Sequence, residues 1–367
     1  MTDSPTTRPA PPSAVSPVIV GGVDTHKDLH VAAIVDAADK VIATEFFSTT
    51  RAGYRAMLRW MRSHGDLARI GVECTGSYGA GLLRFLDNAG LEVLEVTAPD
   101  RSDRRRRGKD DTIDAENAAH AAFAQIRTVT PKTRDGMVES LRVLQVTRKT
   151  AVRARRVALQ MIKSQIISAP EELRDQIRNL TRMQLIRTLA AWRPDLTDFR
   201  DPTTATKIAL KHLARRYLEL HDEIADLDRP IHALVDELVP TLLERVGVGY
   251  QSAAQLLITA GDNPERLTSE ASFAMLCGAA PLPASSGMTT RHRLNRGGDR
   301  AANSALHMIA VSRWRVDPKT QAYVARKRAA GHSNPEILRC LKRFIAREIF
   351  YLLKDRDRVT RQLAPAA

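Results

Sequence analysis

Residues 18–47 read VIVGGVDTHKDLHVAAIVDAADKVIATEFF, and this stretch decides the fold. Its three β-branched or alternating runs are broken by Asp-Thr-His-Lys and by Asp-Ala-Ala-Asp-Lys, so strand formers alternate with turn formers. That pattern predicts a three-stranded meander. Downstream, the spacing predicts a helix from about Arg51 to Ser63 and a short buried strand at 68–73 (ARIGVE). A helix from about Gly79 to Asn88, a strand at 91–96 (LEVLEV) and a helix beginning near Asp110 follow. The order βββαβαβ and then a helix predicts an α/β layer with helices packed on a central sheet.

The text then becomes helical. From about Gly136 to Ile167, apolar Leu141, Leu144, Val152, Leu159, Ile162 and Ile166 form one broad stripe among many Arg and Lys. A second long pattern runs from about Thr204 to Val239, with a shorter helical stretch at 171–192 between them. Two long helices poor in aromatic residues suggest an antiparallel coiled-coil arm with imperfect heptads. Pro240 opens a different helical unit, in which the Val246-Gly-Val-Gly249 turn could meet a phosphate or simply close helix against helix. The fold class is therefore α/β plus all-α: a disordered tail at 1–17, an α/β domain at 18–130, a helical arm at 131–239 and a helical domain at 240–367.

Composition narrows the partners. The 367 residues carry 56 Lys plus Arg against 42 Asp plus Glu, a formal charge of +14, which favours a polyanion and above all nucleic acid. No apolar stretch reaches the ~18 residues of a membrane span, so no membrane partner is expected. Cys74, Cys277 and Cys340 stand far apart with no C-x-x-C pair, which argues against a disulfide framework and for a reducing, cytoplasmic setting. The Pro, Ser and Thr rich first 17 residues lack the apolar run of a signal peptide.

Four acids stand where chemistry can use them. Asp24 ends the first strand in GGVDTHK and Glu73 ends a later one in IGVECTG, so neighbouring strands would bring both carboxylates to one sheet edge. Asp111 and Asp114 in GKDDTIDAEN lie three apart at a helix start, hence on one helix face; that spacing favours Asp111 over its neighbour Asp110. Singly, such acids serve as turn and cap residues. Together they are costly to ionise without cations, and two Mg²⁺ about 3.5 to 4 Å apart would clamp the attacking and leaving oxygens of a phosphodiester. His26 is read as a polar contact rather than a ligand. The basic run RSDRRRRGK ahead of this helix, with Arg104, Arg105, Arg106, Arg107 and Lys109, fits contact with a nucleic-acid backbone.

A second constellation lies in PLPASSGMTTRHRLNRGGDR at 281–300. Ser285 and Ser286 precede Gly287, and Arg291, Arg293, Arg296 and Arg300 follow. A hydroxyl on a glycine loop amid guanidiniums could attack a phosphodiester while the arginines bind the nonbridging oxygens. His292 could bind a phosphate in the same place. No G-x-S-x-G elbow is present, which counts against an α/β-hydrolase.

With GGVDTHKD, GVECTGSYG, KDDTIDA and GAAPLPASSG…RGGDR in order, the chain resembles the DEDD-type insertion-sequence transposases of the one-ten family over nearly its whole length after the tail. The resemblance implies an RNase H-like (RuvC-like) N-terminal domain, a coiled-coil arm for homodimer or homotetramer contacts and a helical C-terminal transposase domain. It implies that Asp24, Glu73, Asp111 and Asp114 bind Mg²⁺ and that Ser286, the serine before the loop glycine, is the nucleophile that forms a phosphoserine link. It further implies donor and target DNA as substrates, guidance by a structured bridge RNA, and a bacterial cytoplasmic enzyme that joins the nucleoid when bound. A junction-resolving nuclease using the same acids, and a nucleic-acid-binding regulator without catalysis, are the rival functions.

Overall fold

The computed structural model describes residues 16–96, 110–288 and 292–363. The chain forms two units, Met1–Asp135 and Gly136–Ala367. Nearly all of the tail expected at 1–17, the basic run with Arg104 to Arg107 and Lys109, and Arg291 lie outside the described residues.

The first unit is a mixed sheet with helices on both faces. Strands β1 (Val18–Thr25), β2 (Leu29–Val35) and β3 (Val41–Ser48) form the antiparallel meander. β4 (Asp66–Glu73) pairs parallel with β1 and β5 (Val93–Val96) parallel with β4, while the short β6 (Thr128–Val129) closes the far edge antiparallel to β5. The sheet order is β3-β2-β1-β4-β5-β6. Helices α1 (Arg51–Ser63) and α2 (Ala80–Asn88) share a core with Ile19, Val23, Ile34 and Ile70. Helix α3 (Asp111–Ala124) packs its alanines against Val20, Val31 and Ala33 on the other face. Covering on both faces explains why β1 and β2 read as continuous apolar runs while the edge strand β3 alternates. The two-residue β6 is too short to leave a periodic signal in the sequence.

Among the described residues, the second unit is helical apart from one small strand pair. α4 (Met137–Ile167) and α7 (Pro202–Leu238) run antiparallel: Arg148 bonds Asp228 at 2.5 Å and Arg155 bonds His221 at 2.8 Å, so partners move down one helix as they move up the other. Helices α5 (Glu171–Ile177) and α6 (Arg182–Ala191) cap the far end, where Ile162, Ile186, Leu189 and Leu210 form a core of their own. At the near end Val138, Leu141, Ile231 and Val235 join a larger core. That core is completed by α8 (Pro240–Leu243), α9 (Tyr250–Ala260), α10 (Glu270–Leu276), α11 (Arg300–Val316), α12 (Pro318–Ala329) and α13 (Asn334–Leu363). Among the described residues no helix is long and apolar enough to cross a membrane.

Candidate metal centre

Strand register builds the first half of the site. β1 and β4 are parallel with Val23 opposite Val72, which sets Asp24 and Glu73 side by side at the carboxyl ends of adjacent strands. Thr25 ties those ends together by donating its hydroxyl to the Glu73 carbonyl at 3.1 Å. Carboxyl ends of parallel strands are where open α/β sheets form ligand crevices.

Helix α3 supplies the second half, and its approach depends on two glycines. A Cβ on Gly22 would lie 2.1 Å from the Ala119 backbone nitrogen, and one on Gly71 would lie 2.4 Å from the Ala118 carbonyl oxygen. On the helix side the buried alanines are Ala115, Ala118, Ala119 and Ala122, at helical spacing. Backbone therefore lies almost on backbone, and the first turn of α3 reaches the end of β1. Asp110 is the N-cap of that helix, accepting from the Thr112 hydroxyl and from the Thr112 N–H at 2.8 Å, and these bonds hold its carboxyl below the usual carboxylate range. Asp111 is thereby left to face the sheet edge.

The carboxylates meet around His26. Its Nε2 lies 3.0 Å from Asp24 Oδ2 and 3.3 Å from Asp111 Oδ1. Among the described residues, Asp24, His26 and Asp111 can bring ligand atoms within 4.8 Å of one another. Burial raises the pKa of Asp24 most; His26 opposes that, and the charges of Asp114 and Asp111 add to it. Asp114 and Glu73 are buried beside this group, 5% and 8% exposed, without belonging to the close trio. Oxygen donors with one imidazole form a set suited to a divalent ion, which would offset the burial of Asp24. His26 makes the polar contacts expected of it, here with two of the acids. Its signal was position, two residues past the strand-end acid and at the same sheet edge.

His30 holds His26 in place. It is fully buried, stacks on Tyr54 at 5.7 Å, and accepts the His26 backbone N–H at Nδ1 over 3.3 Å. Burial lowers its pKa to about 4, with the His26 charge adding to the effect. Because the folded protein binds this proton more weakly than the unfolded chain, the stabilising effect is complete above about pH 6.5 and lost as the pH falls towards about 4. The loss should approach about 3 kcal/mol. Hydrogen exchange at the β1 and β2 amides, corrected for intrinsic rates, should register it, and His30→Phe should flatten the profile. A wild-type profile already flat would refute the buried neutral state.

In the second unit, β7 (Leu282–Pro283) pairs antiparallel with β8 (His292–Arg293), and the serine segment projects between them. Ser285, Ser286 and Gly287 are exposed, with Gly287 at φ +56°. Arg293 and Arg296 are exposed on the returning strand and beyond it. The base of this loop is fixed by Asp299, which caps α11 by accepting from the Ala301 and Ala302 N–H groups at 2.7 and 3.1 Å, and also accepts the Thr259 hydroxyl at 2.6 Å. Gly298, at φ +83°, would drive a Cβ to within 2.5 Å of the Leu276 carbonyl oxygen. Gly-Gly-Asp in the motif is thus an anchor, a role with no signal in the local sequence. The Val246 to Gly249 turn packs on α11, where Arg313 donates to the Val246 carbonyl at 2.8 Å.

Residues 21–169 match the DEDD family model of the IS110 type, described as a transposase. Residues 240–325 match the model of the transposase IS116/IS110/IS902 family. Over 158 residues the chain is 33% identical to the insertion element IS110 uncharacterized 43.6 kDa protein of Streptomyces coelicolor. The match covers 42% of this chain and 39% of that relative.

Proposed function

Because the chain belongs to the IS110 family of transposases, we propose that it cuts and rejoins DNA to move an insertion sequence, with donor and target DNA as substrates. The observation that carries this reading is the cluster of Asp24, His26 and Asp111 at the carboxyl end of β1, with Asp114 and Glu73 at its border. The sheet order, an antiparallel meander joined to parallel β4 and β5, supports an RNase H-like (RuvC-like) domain at 18–130. The antiparallel pairing of α4 and α7 supports a coiled-coil arm within 131–239, which leaves 240–367 as the helical transposase domain.

The ion in this reading is Mg²⁺, which Asp24 and Asp111 would hold beside His26, with Glu73 and Asp114 completing the acid set at the border; when bound it would polarise a phosphodiester oxygen. The Ser286 hydroxyl attacks the phosphorus, so that an Oγ–P bond forms as one bridging P–O bond of the DNA breaks. The hydroxyl proton passes to solvent and the departing DNA oxygen takes one up. Attack by a hydroxyl of the other DNA partner on the phosphoserine then restores Ser286 and completes the exchange. Arg291, Arg293 and Arg296 hold the nonbridging oxygens, where fixed guanidiniums offset the developing charge. Arg104, Arg105, Arg106, Arg107 and Lys109 add sequence-independent phosphate contacts, in keeping with the +14 charge. A structured bridge RNA as guide, a homodimer or homotetramer, and a cytoplasmic protein that joins the nucleoid on DNA complete the proposal.

Labelled substrate incubated with Mg²⁺ and run on denaturing gels tests the nucleophile. Wild type and Ser285→Ala are expected to give a protein-linked DNA band, and Ser286→Ala none. A band that survives Ser286→Ala and vanishes with Ser285→Ala would move the nucleophile by one residue. Cleavage by wild type without any linked band would favour a metal nuclease over a recombinase.

A further inference from the structure

The second unit contains a cleft of about 680 Å³ between the 278–281 backbone, β8 and the middle of α13. Its size lies within the roughly 300 to 1,000 Å³ of sites that hold small organic groups. Its charge is one-sided: Arg293, Arg339, Lys342 and Arg343 line it against one acid, Glu336. Arg343 is engaged by Glu270, and Arg339 lies 3.8 Å from Glu336. Lys342 differs from both. It is 8% exposed, and its amine donates to the neutral Asn303 Oδ1 at 2.9 Å; among the described residues no carboxylate pairs with it. Burial lowers its pKa, and the nearby Arg339 charge lowers it further.

A buried ammonium without a counter-charge costs stability, and retaining one is expected where an anion arrives to pair with it. Asn303 keeps this amine in position, since its own amide donates to the Cys277 and Gly278 carbonyls at 3.0 and 2.8 Å. The amine is thus fixed to the cleft's glycine wall. Phe344, 56% exposed at the rim, presents a ring on which a base can stack. The nearer alternative, a purely structural lysine, would call for a carboxylate partner or an apolar replacement.

We propose that this cleft holds one nucleotide of a single nucleic-acid strand, its phosphodiester against Lys342 and Arg339 and its base on Phe344. The inference uses the nucleic-acid partner of the function proposed above but none of its cutting chemistry. Cys340 lines the same cleft and serves as a local reporter.

The experiment uses the intact chain with labelled pentathymidylate, and with pentauridylate as a second arm that sorts DNA from RNA as the source of the strand. Saturating oligonucleotide is expected to slow iodoacetamide alkylation of Cys340, read by peptide mapping. Lys342→Gln should weaken binding about tenfold, the loss of one charge-assisted contact, and shift the oligonucleotide concentration needed for protection by the same factor. Arg339→Gln, at a half-buried residue, should weaken it less and make the salt slope shallower by about 0.7. Ser286→Ala and Asp24→Asn should keep full protection, which separates failure of this inference from failure of the proposed transposition chemistry. Thermal melting checks that Lys342→Gln folds, and Arg339→Gln supplies the comparison if it does not. An alkylation rate unchanged by either oligonucleotide, or native protection and affinity in both folded variants, would overturn the proposal. So would thymidine monophosphate binding as tightly as the strand, which would make the cleft a free-nucleotide site.

Discussion

Asp24→Ala should lower DNA cleavage by about three orders of magnitude or more, because several kcal/mol of transition-state stabilisation is at stake and each decade of rate is about 1.4 kcal/mol. Asp24 is the centre of the cluster: it bonds His26 and feels the charges of both Asp111 and Asp114. Its carboxyl sits above the usual carboxylate range because burial and those like charges oppose ionisation. Removing it should therefore leave the fold intact or raise the melting temperature, since an unfavourable buried charge goes with it. Loss of activity and gain of stability then diverge in one variant. A divalent cation that binds the folded state should raise the wild-type melting temperature and leave that of Asp24→Asn unchanged. Undiminished cleavage by Asp24→Ala would dismiss the cluster as a catalytic centre, and an equal thermal shift in Asp24→Asn would place the ion elsewhere.

Gly22→Ala is expected to destabilise the first unit by about 3 kcal/mol or more, at or beyond the upper end of ordinary overpacking. The added carbon would meet the Ala119 nitrogen and Cα at 2.1 and 2.6 Å, and backbone atoms cannot rotate away as a side chain can. If the chain still folds, α3 must move off the sheet, and a shift of ~1 Å at Asp111 would cost roughly a hundredfold in rate. Gly249→Ala, where nothing stands within 4 Å of the added carbon, is the control and should be near neutral. Ala119→Gly should fail to rescue Gly22→Ala, because the clash is with main chain. Rescue, read by urea unfolding, would mean that side-chain crowding is the cause.

The strands and the two strand-end acids were legible in the sequence because parallel register turns a position along β1 into a position beside β4. Asp110 and Asp111 could be ranked by spacing, and the structure adds the reason: one carboxylate is consumed by the cap and its neighbour remains for the site. The approach of α3 was not legible. It arises from glycine meeting alanine across two elements nearly a hundred residues apart, and neither Gly22 nor Ala119 carries a periodic or polar signal on its own. The place of His26 between two acids was not legible either, because a lone histidine takes its meaning from neighbours that only folding assembles. Lys342 lay in an ordinary amphipathic helix, where nothing local distinguishes a buried lysine from a solvated one.

The paired helices α4 and α7 have a mechanical consequence. Arg148 with Asp228, and Arg155 with His221, are seven residues apart on each helix and run in opposite directions. Sliding one helix by a heptad would leave Asp228 opposite Leu141 and Arg155 opposite Ala214, a charge against an apolar wall at each end. Apolar seams alone would tolerate that slip far more readily, whereas polar partners at fixed steps act as detents. The pair thus behaves as a strut of set length, its two rails locked against sliding.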